Sequence, residues 1–150
     1  MKLGNPVWSI RLVRERSPRY KITASEDVYE VCRQLIFPKL VASNVERFFF
    51  VGLNNQNQIL IIDEHSTGGV NESRIYIAEI AKKLLLSNCN QVILIHNHPS
   101  GNLRPSSADE MITFKLREAL SYFEIKVLDH LIVSENASDF LSFKEEGLIA

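Results

Sequence analysis

The sequence predicts an α/β domain with a mixed β-sheet held between helices. Three observations carry this. Strand-type and helix-type segments alternate along most of the 150 residues. Two strand segments are joined by a short polar connection, which makes a hairpin and so an antiparallel pair. The run Val92-Ile93-Leu94-Ile95 leads into His96 without a polar break, as in a strand covered on both faces.

The elements follow in order. Val7 to Val13 has a loose period of two and reads as a first strand within an N-terminal segment, residues 1–22. Thr23-Ala24-Ser25-Glu26 is a capping-box pattern, with Thr23 as N-cap and Glu26 three residues on. Behind it Val28, Val31, Cys32 and Leu35 recur at helical spacing, and Pro38 marks the end of that helix. Glu46 to Leu53 and Ile59 to Glu64 are strands flanking the polar turn Asn54 to Gln58. Gly68-Gly69 breaks the pattern. A helix from about Asn71 to Leu86 puts Ile77, Ile80, Ala81, Leu84 and Leu85 on one face. Val92 to His96 is the next strand, and His98-Pro99-Ser100-Gly101 leaves it in a turn. Pro105-Ser106 opens a helix with an inward stripe of Ile112, Leu116, Ala119, Leu120 and Phe123. Ile125 to Val133 and Phe140 to Phe143 are the last strands. No internal repeat, low-complexity tract or linker divides the chain, so one domain over residues 1–150 is expected.

Composition narrows the classes. Hydrophobic content of 45% with 23% charged residues is ordinary for a globular protein and excludes disordered and coiled-coil classes. Seventeen basic residues against 18 acidic ones give a net charge of −1, without the basic surplus that phosphate contacts demand. Arg11, Arg14, Arg16, Arg19 and Lys21 form the one basic cluster, and it reads as the solvated face of an edge strand. Cys32 and Cys89 belong to no CxxC pair and read as buried small hydrophobes. Met1 to Pro6 lacks a signal-peptide core, and no apolar run approaches the roughly 20 residues that span a bilayer. No membrane association and a cytoplasmic location are expected.

The chemistry concentrates in His96-Asn97-His98 and in Ser106 to Asp109. On an extended backbone, residues two apart point to the same face. His96 and His98 therefore present two imidazoles side by side, which suits two ligands of one tetrahedral ion. Asp109 has two readings. Ser106-Ser107-Ala108-Asp109 is itself a helix-start signal, with the acidic residue closing a cap. The same helix start could also aim its carboxylate back at the strand end, since only ten residues separate His98 from Asp109. Asp109 would then be a third ligand, and the fourth position would stay open for water, as in catalytic zinc sites. Such a site needs a carboxylate nearby to accept a proton. Glu46 is the foremost candidate, at the mouth of an apolar strand; its local pattern also reads as a strand-end surface carboxylate, and Glu64 and Glu72 compete with it. Ser106 could donate to an oxyanion, since its cap role uses the oxygen and leaves the hydroxyl proton free. Asp129-His130 could form a pair that orients a ligand, or an edge contact of the strand. His65 reads as an exposed turn residue.

The pattern His96-x-His98-Pro-x-Gly-x-x-x-Pro-Ser106-x-x-Asp109, with an upstream glutamate, resembles the JAMM motif of the JAB/MPN metalloproteases. The longer run HNHPSGNLRPSSAD, followed by Val127-Leu128-Asp129-His130-Leu131-Ile132-Val133, is similar to the RadC branch of that superfamily, and the likeness spans residues 23–148. The resemblance implies a JAB/MPN-like mixed sheet with cytidine-deaminase-like layering. It implies that His96, His98 and Asp109 bind one zinc ion per chain, that Ser106 assists at the oxyanion, and that Glu46 is the general acid/base. Val45-Glu46-Arg47-Phe48 is similar to the family's Glu-His-Phe stretch, which favours Glu46 over its competitors. Longer RadC proteins carry a helix-hairpin-helix region, and the likeness here is to the short form. Asn71 to Ile75 departs from the Pro-Arg or Pro-Lys step common in that branch.

The function expected from this is zinc-dependent hydrolysis of a peptide or isopeptide bond in a peptide or protein substrate. Two other classes stand beside it. One is a DNA-repair or mobile-element accessory role, which the near-neutral charge and the lack of a basic-aromatic pattern disfavour. The other is an inactive metal-binding interaction module, disfavoured because all five polar residues are present.

Overall fold

A computed structural model describes residues 21–31, 33–34, 44–67, 75–134 and 139–150. Among these lie helices α1 (Ser25–Val31), α2 (Ile77–Leu86) and α3 (Ser107–Ser121) and strands β1 (Arg47–Leu53), β2 (Ile59–Thr67), β3 (Gln91–His98), β4 (Lys126–Ser134) and β5 (Phe140–Ser142). The sheet order is β2-β1-β3-β4-β5. β3 and β4 are parallel, and every other neighbouring pair is antiparallel. The mixed α/β class read from the sequence is the fold observed. The first strand over residues 7–13, the arginine cluster, Cys32, Pro38, Gly68-Gly69 and Glu72 lie outside the described residues.

Alternation along the strands sorts the core into two faces. Phe49, Val51, Leu53, Ile93, Ile95, Leu131 and Val133 pack with Ile22, Val28 and Val31, so α1 covers one face. Phe48, Phe50, Val92, Leu94 and Val127 pack with Ile80, Leu84, Leu116 and Leu120, so α2 and α3 cover the other. Both faces of β1 and β3 are buried, which is why these strands read as continuous apolar runs. Neither side of the sheet is left to water at its centre. No helix among the described residues is long and apolar enough to cross a membrane.

Several boundaries move. β3 continues through His98, because its backbone keeps pairing with β4 as far as Ser134, and the turn starts at Pro99. β2 runs to Thr67, paired with Arg47, so His65 is a strand residue and not an exposed turn. Its Nε2 accepts the Tyr76 N–H at 2.8 Å. Burial, together with nearby Lys83, pushes its pKa down, and its buried Nδ1 has no partner among the described residues. α2 begins at Ile77, after an extended Tyr76 that caps it without a side-chain bond. α1 begins at Ser25, and its cap is closed by Asp27, not Glu26: Asp27 Oδ2 accepts from the Thr23 N–H at 2.7 Å and the Ala24 N–H at 3.1 Å. Phe123 lies past the end of α3 and is 49% exposed, so the inward stripe stops at Leu120. The polar turn forms as read: Asn54 Oδ1 accepts from the Gln56 and Gln58 N–H groups, both at 2.9 Å. Cys89 is buried, and desolvation raises its thiol pKa to about 11, consistent with an inert core residue.

Candidate metal centre

The site forms where β1 starts, β3 ends and α3 starts. His96 and His98 stand on the face of β3 covered by α2 and α3, with their Nε2 atoms 2.9 Å apart. Parallel pairing of β3 with β4 requires a crossover, and α3 is that crossover. The loop from Pro99 to Pro105 returns the chain so that α3 begins beside the end of β3. Ser106 is the N-cap of α3, and with Asp109 it makes a capping box: Ser106 Oγ accepts the Asp109 N–H, while Asp109 Oδ2 accepts the Ser106 N–H at 2.7 Å. The same carboxylate reaches His96 Nε2 at 3.1 Å through Oδ1 and His98 Nε2 at 3.3 Å through Oδ2. One side chain therefore both closes the cap and faces the two histidines.

Glu46 precedes β1 by one residue and shares the face of Phe48 and Phe50. Its Oε1 lies 3.7 Å from His96 Nε2. Its competitor Glu64 is on the opposite face, where Oε1 binds Arg47 Nη1 at 2.6 Å. Ser106 differs from expectation in one respect. Its hydroxyl donates to Asp109 Oδ2 at 2.7 Å, so the proton read as free is committed to the capping carboxylate.

Two backbone carbonyls fix the tautomers. Thr113 Oγ1 is 2.7 Å from the Asp109 carbonyl, which can only accept, so the Thr113 proton goes there. His130 Nδ1, 2.6 Å from the same hydroxyl oxygen, must then be the donor. His130 Nε2 is left as the acceptor for His96 Nδ1–H at 2.7 Å. Complete burial, with His96 next in effect, pulls the His130 pKa well below the usual value, which keeps it neutral in this chain. On the other ligand, His98 Nδ1 donates to the Asn102 carbonyl at 2.6 Å. Both Nε2 lone pairs therefore face each other and Asp109.

Two lone pairs and a carboxylate pointing inward need a cation or a proton between them. Hydrogen bonding to Asp109 raises the His98 pKa against the opposing effect of burial. Burial alone would push the Asp109 carboxyl up, but the bonds from His96 and His98 outweigh it and hold Asp109 well below the ordinary carboxylate range. Ligands at about 2.0–2.1 Å from a tetrahedral ion stand roughly 3.3 Å apart, close to the spacings seen here. Glu46, His96, His98 and Asp109, with ligand atoms all within 4.8 Å of one another, fit a metal ion in number, charge and tautomer.

Glu46, His96, His98, Ser106 and Asp109, the five residues singled out from the sequence, meet at one place, and His130 stands behind His96. Of the pair Asp129-His130, only His130 reaches a site residue, because adjacent strand residues face opposite ways. Asp129 instead accepts from Ser142 Oγ at 2.6 Å, the His130 N–H at 2.7 Å and the Lys144 N–H at 3.0 Å. It ties the C-terminal segment to β4. Thr113, Asn102 and Asn97 were missed. Thr113 had a signal, standing four residues after Asp109 on the same helix face.

The family profile described as RadC-like JAB domain matches residues 22–148. A UPF0758 protein of Dechloromonas aromatica is 46% identical over 111 residues, covering 74% of this chain and 49% of the relative. The UPF0758 protein YeeS of Escherichia coli K12 is 39% identical over 117 residues, 78% of each chain. A UPF0758 protein of Methanosarcina mazei is 36% identical over 132 residues, 88% of this chain and 55% of the relative. The chain spans about half the length of most of these relatives. With its site and sheet in this arrangement, the chain belongs to the RadC-like JAB domain family.

Proposed function

We propose that the chain is a zinc-dependent hydrolase of peptide or isopeptide bonds, acting on a peptide or protein substrate in the cytoplasm. The observation that supports it is the convergence of two Nε2 lone pairs and the Asp109 carboxylate, with a second carboxylate, Glu46, 3.7 Å from one of those nitrogens. His96, His98 and Asp109 would hold the ion. Zinc held there would polarise the scissile carbonyl and lower the pKa of water toward about 7. Glu46, the outermost of the four groups, takes the proton from the attacking water and delivers it to the leaving amine. Ser106 can donate to the developing oxyanion by turning its hydroxyl away from Asp109, whose Oδ2 keeps the Ser106 N–H.

Because the four ligand atoms lie within 4.8 Å of one another, a closed four-ligand site with no activity is the competing reading. One pair of variants separates the two. The wild type should bind about one zinc per chain, and Asp109→Ala should lose it. Glu46→Gln should keep zinc while cleavage of an internally quenched peptide library stops. Loss of zinc from Glu46→Gln would favour the closed site. A folded wild type that takes up no metal would end the hydrolase reading.

A further inference from the structure

We infer that Asn97, the residue between the two histidines, positions Glu46 from the far side of the sheet. The backbone ladder between β1 and β3 ends at the pair Phe48 and His96. One step further on, the Asn97 side chain takes over the pairing. Its Oδ1 accepts the Arg47 N–H at 2.7 Å, and its Nδ2 donates to the Val45 carbonyl at 3.1 Å. These two bonds bracket Glu46, the residue between Val45 and Arg47. The Arg47 side chain is held to the same face by Glu64 at 2.6 Å.

Strand alternation puts Asn97 on the face opposite His96 and His98, and it is 1% exposed. Its side chain therefore points away from both imidazoles and bonds only to the backbone of Arg47 and Val45 among the described residues. It acts on the site through the backbone of residues 45–47 alone. The carboxamide is suited to this because one planar group offers an acceptor and a donor together. An aspartate keeps the acceptor and loses the donor; an alanine loses both. The metal ligands have separate supports in His130, Asn102 and Ser106, so Asn97 governs where the acid/base sits and not whether metal is held.

The role rests on Glu46 being the acid/base, and the test keeps the two ideas apart. Asn97→Ala, titrated with zinc chloride alone, should bind one zinc with affinity within about threefold of wild type, unlike the 10- to 100-fold losses at outer-shell partners of ligands. Its Arg47 amide should exchange hydrogen at least about tenfold faster, because the bond that protected it is gone. On the quenched peptide library, kcat should fall about tenfold or more with KM nearly unchanged, since only an interaction made in the transition state is disturbed. Unchanged protection of the Arg47 amide, or a loss of zinc as large as the loss of kcat, overturns the inference. Should Asn97→Ala fail to fold, Asn97→Asp reads the same question. It should keep the Arg47 amide protected while kcat falls, and wild-type kcat in that variant overturns the role. A wild type that binds zinc and cleaves nothing ends the hydrolase reading instead. The exchange arm, which needs no turnover, then still decides whether Asn97 holds residues 45–47.

Discussion

The carbonyl oxygens of Asp109 and Asn102 can only accept, and each sets one imidazole of the site. Through Thr113 and His130 the first fixes His96; the second fixes His98 directly. Groups that hydrogen-bond the far nitrogen of a metal-binding histidine are commonly worth 10- to 100-fold in affinity. His130→Phe and Thr113→Val should therefore each weaken zinc binding by about that factor, measured by competition with a chromophoric chelator. Equal affinity in both variants would remove the chain of hydrogen bonds from its role. Acidity gives a second expectation. Asp109 raises the His98 pKa above 6.5, so protons compete with zinc for His98 already above pH 6.5. Without metal the sign is reversed. A raised pKa stabilises the protonated fold, an effect complete below about 6.5 and lost as pH rises through the raised value. Zinc-induced stabilisation, read as a shift in Tm, should thus shrink on going from pH 8 to pH 6. A pH-independent shift would contradict this.

The start of α3 does two jobs with one pair of side chains. Ser106 and Asp109 close the cap, and the Asp109 carboxylate also faces both histidines. Ser106→Ala removes the cap oxygen and should cost about 1 kcal/mol in the metal-free protein, measured by urea denaturation. No change in stability would mean the backbone amides find other partners. This dual use explains why the sequence left Asp109 open: a capping box reads the same whether or not its carboxylate reaches a third group. The His-x-His strand was legible for the opposite reason, since period two alone dictates that the imidazoles share a face. α1 shows the limit of such patterns. Thr23 has acidic residues three and four positions on, and because the helix starts at Ser25, Asp27 and not Glu26 stands at its third residue and closes the cap.

Gly52 sits where β1, β2 and α2 meet beneath the sheet. A Cβ built there would lie 2.5 Å from Cys89 Sγ, 2.7 Å from Ile61 Cγ2 and 2.9 Å from Leu84 Cδ2. Three elements would have to move at once, so Gly52→Ala should destabilise the whole fold by about 1–3 kcal/mol. Thermal unfolding of the metal-free protein checks this, and an unchanged Tm would show that α2 can slide outward freely. The packing also carries the site. α2 and α3 press on the face that bears His96 and His98, while α1 covers the face that bears Asn97 and Asp129.

By itself the sequence determined the α/β class, the two faces of its strands and the shared face of His96 and His98, while the resemblance to a known family favoured Glu46 and Asp109 as their companions. The first three are local properties, because periodicity, caps and turns act over a few residues. Tertiary structure decided what the neighbours do. Glu46 faces the histidines and Glu64 does not, because the β1–β2 register, irregular at Phe48 and Phe49, assigns each carboxylate its side. His130 reaches His96 because parallel pairing brings β4 alongside β3, 34 residues apart in the chain. Asn97 meets residues 45–47 across a separation of about 50 residues. Such contacts depend on strand order, which no local pattern encodes.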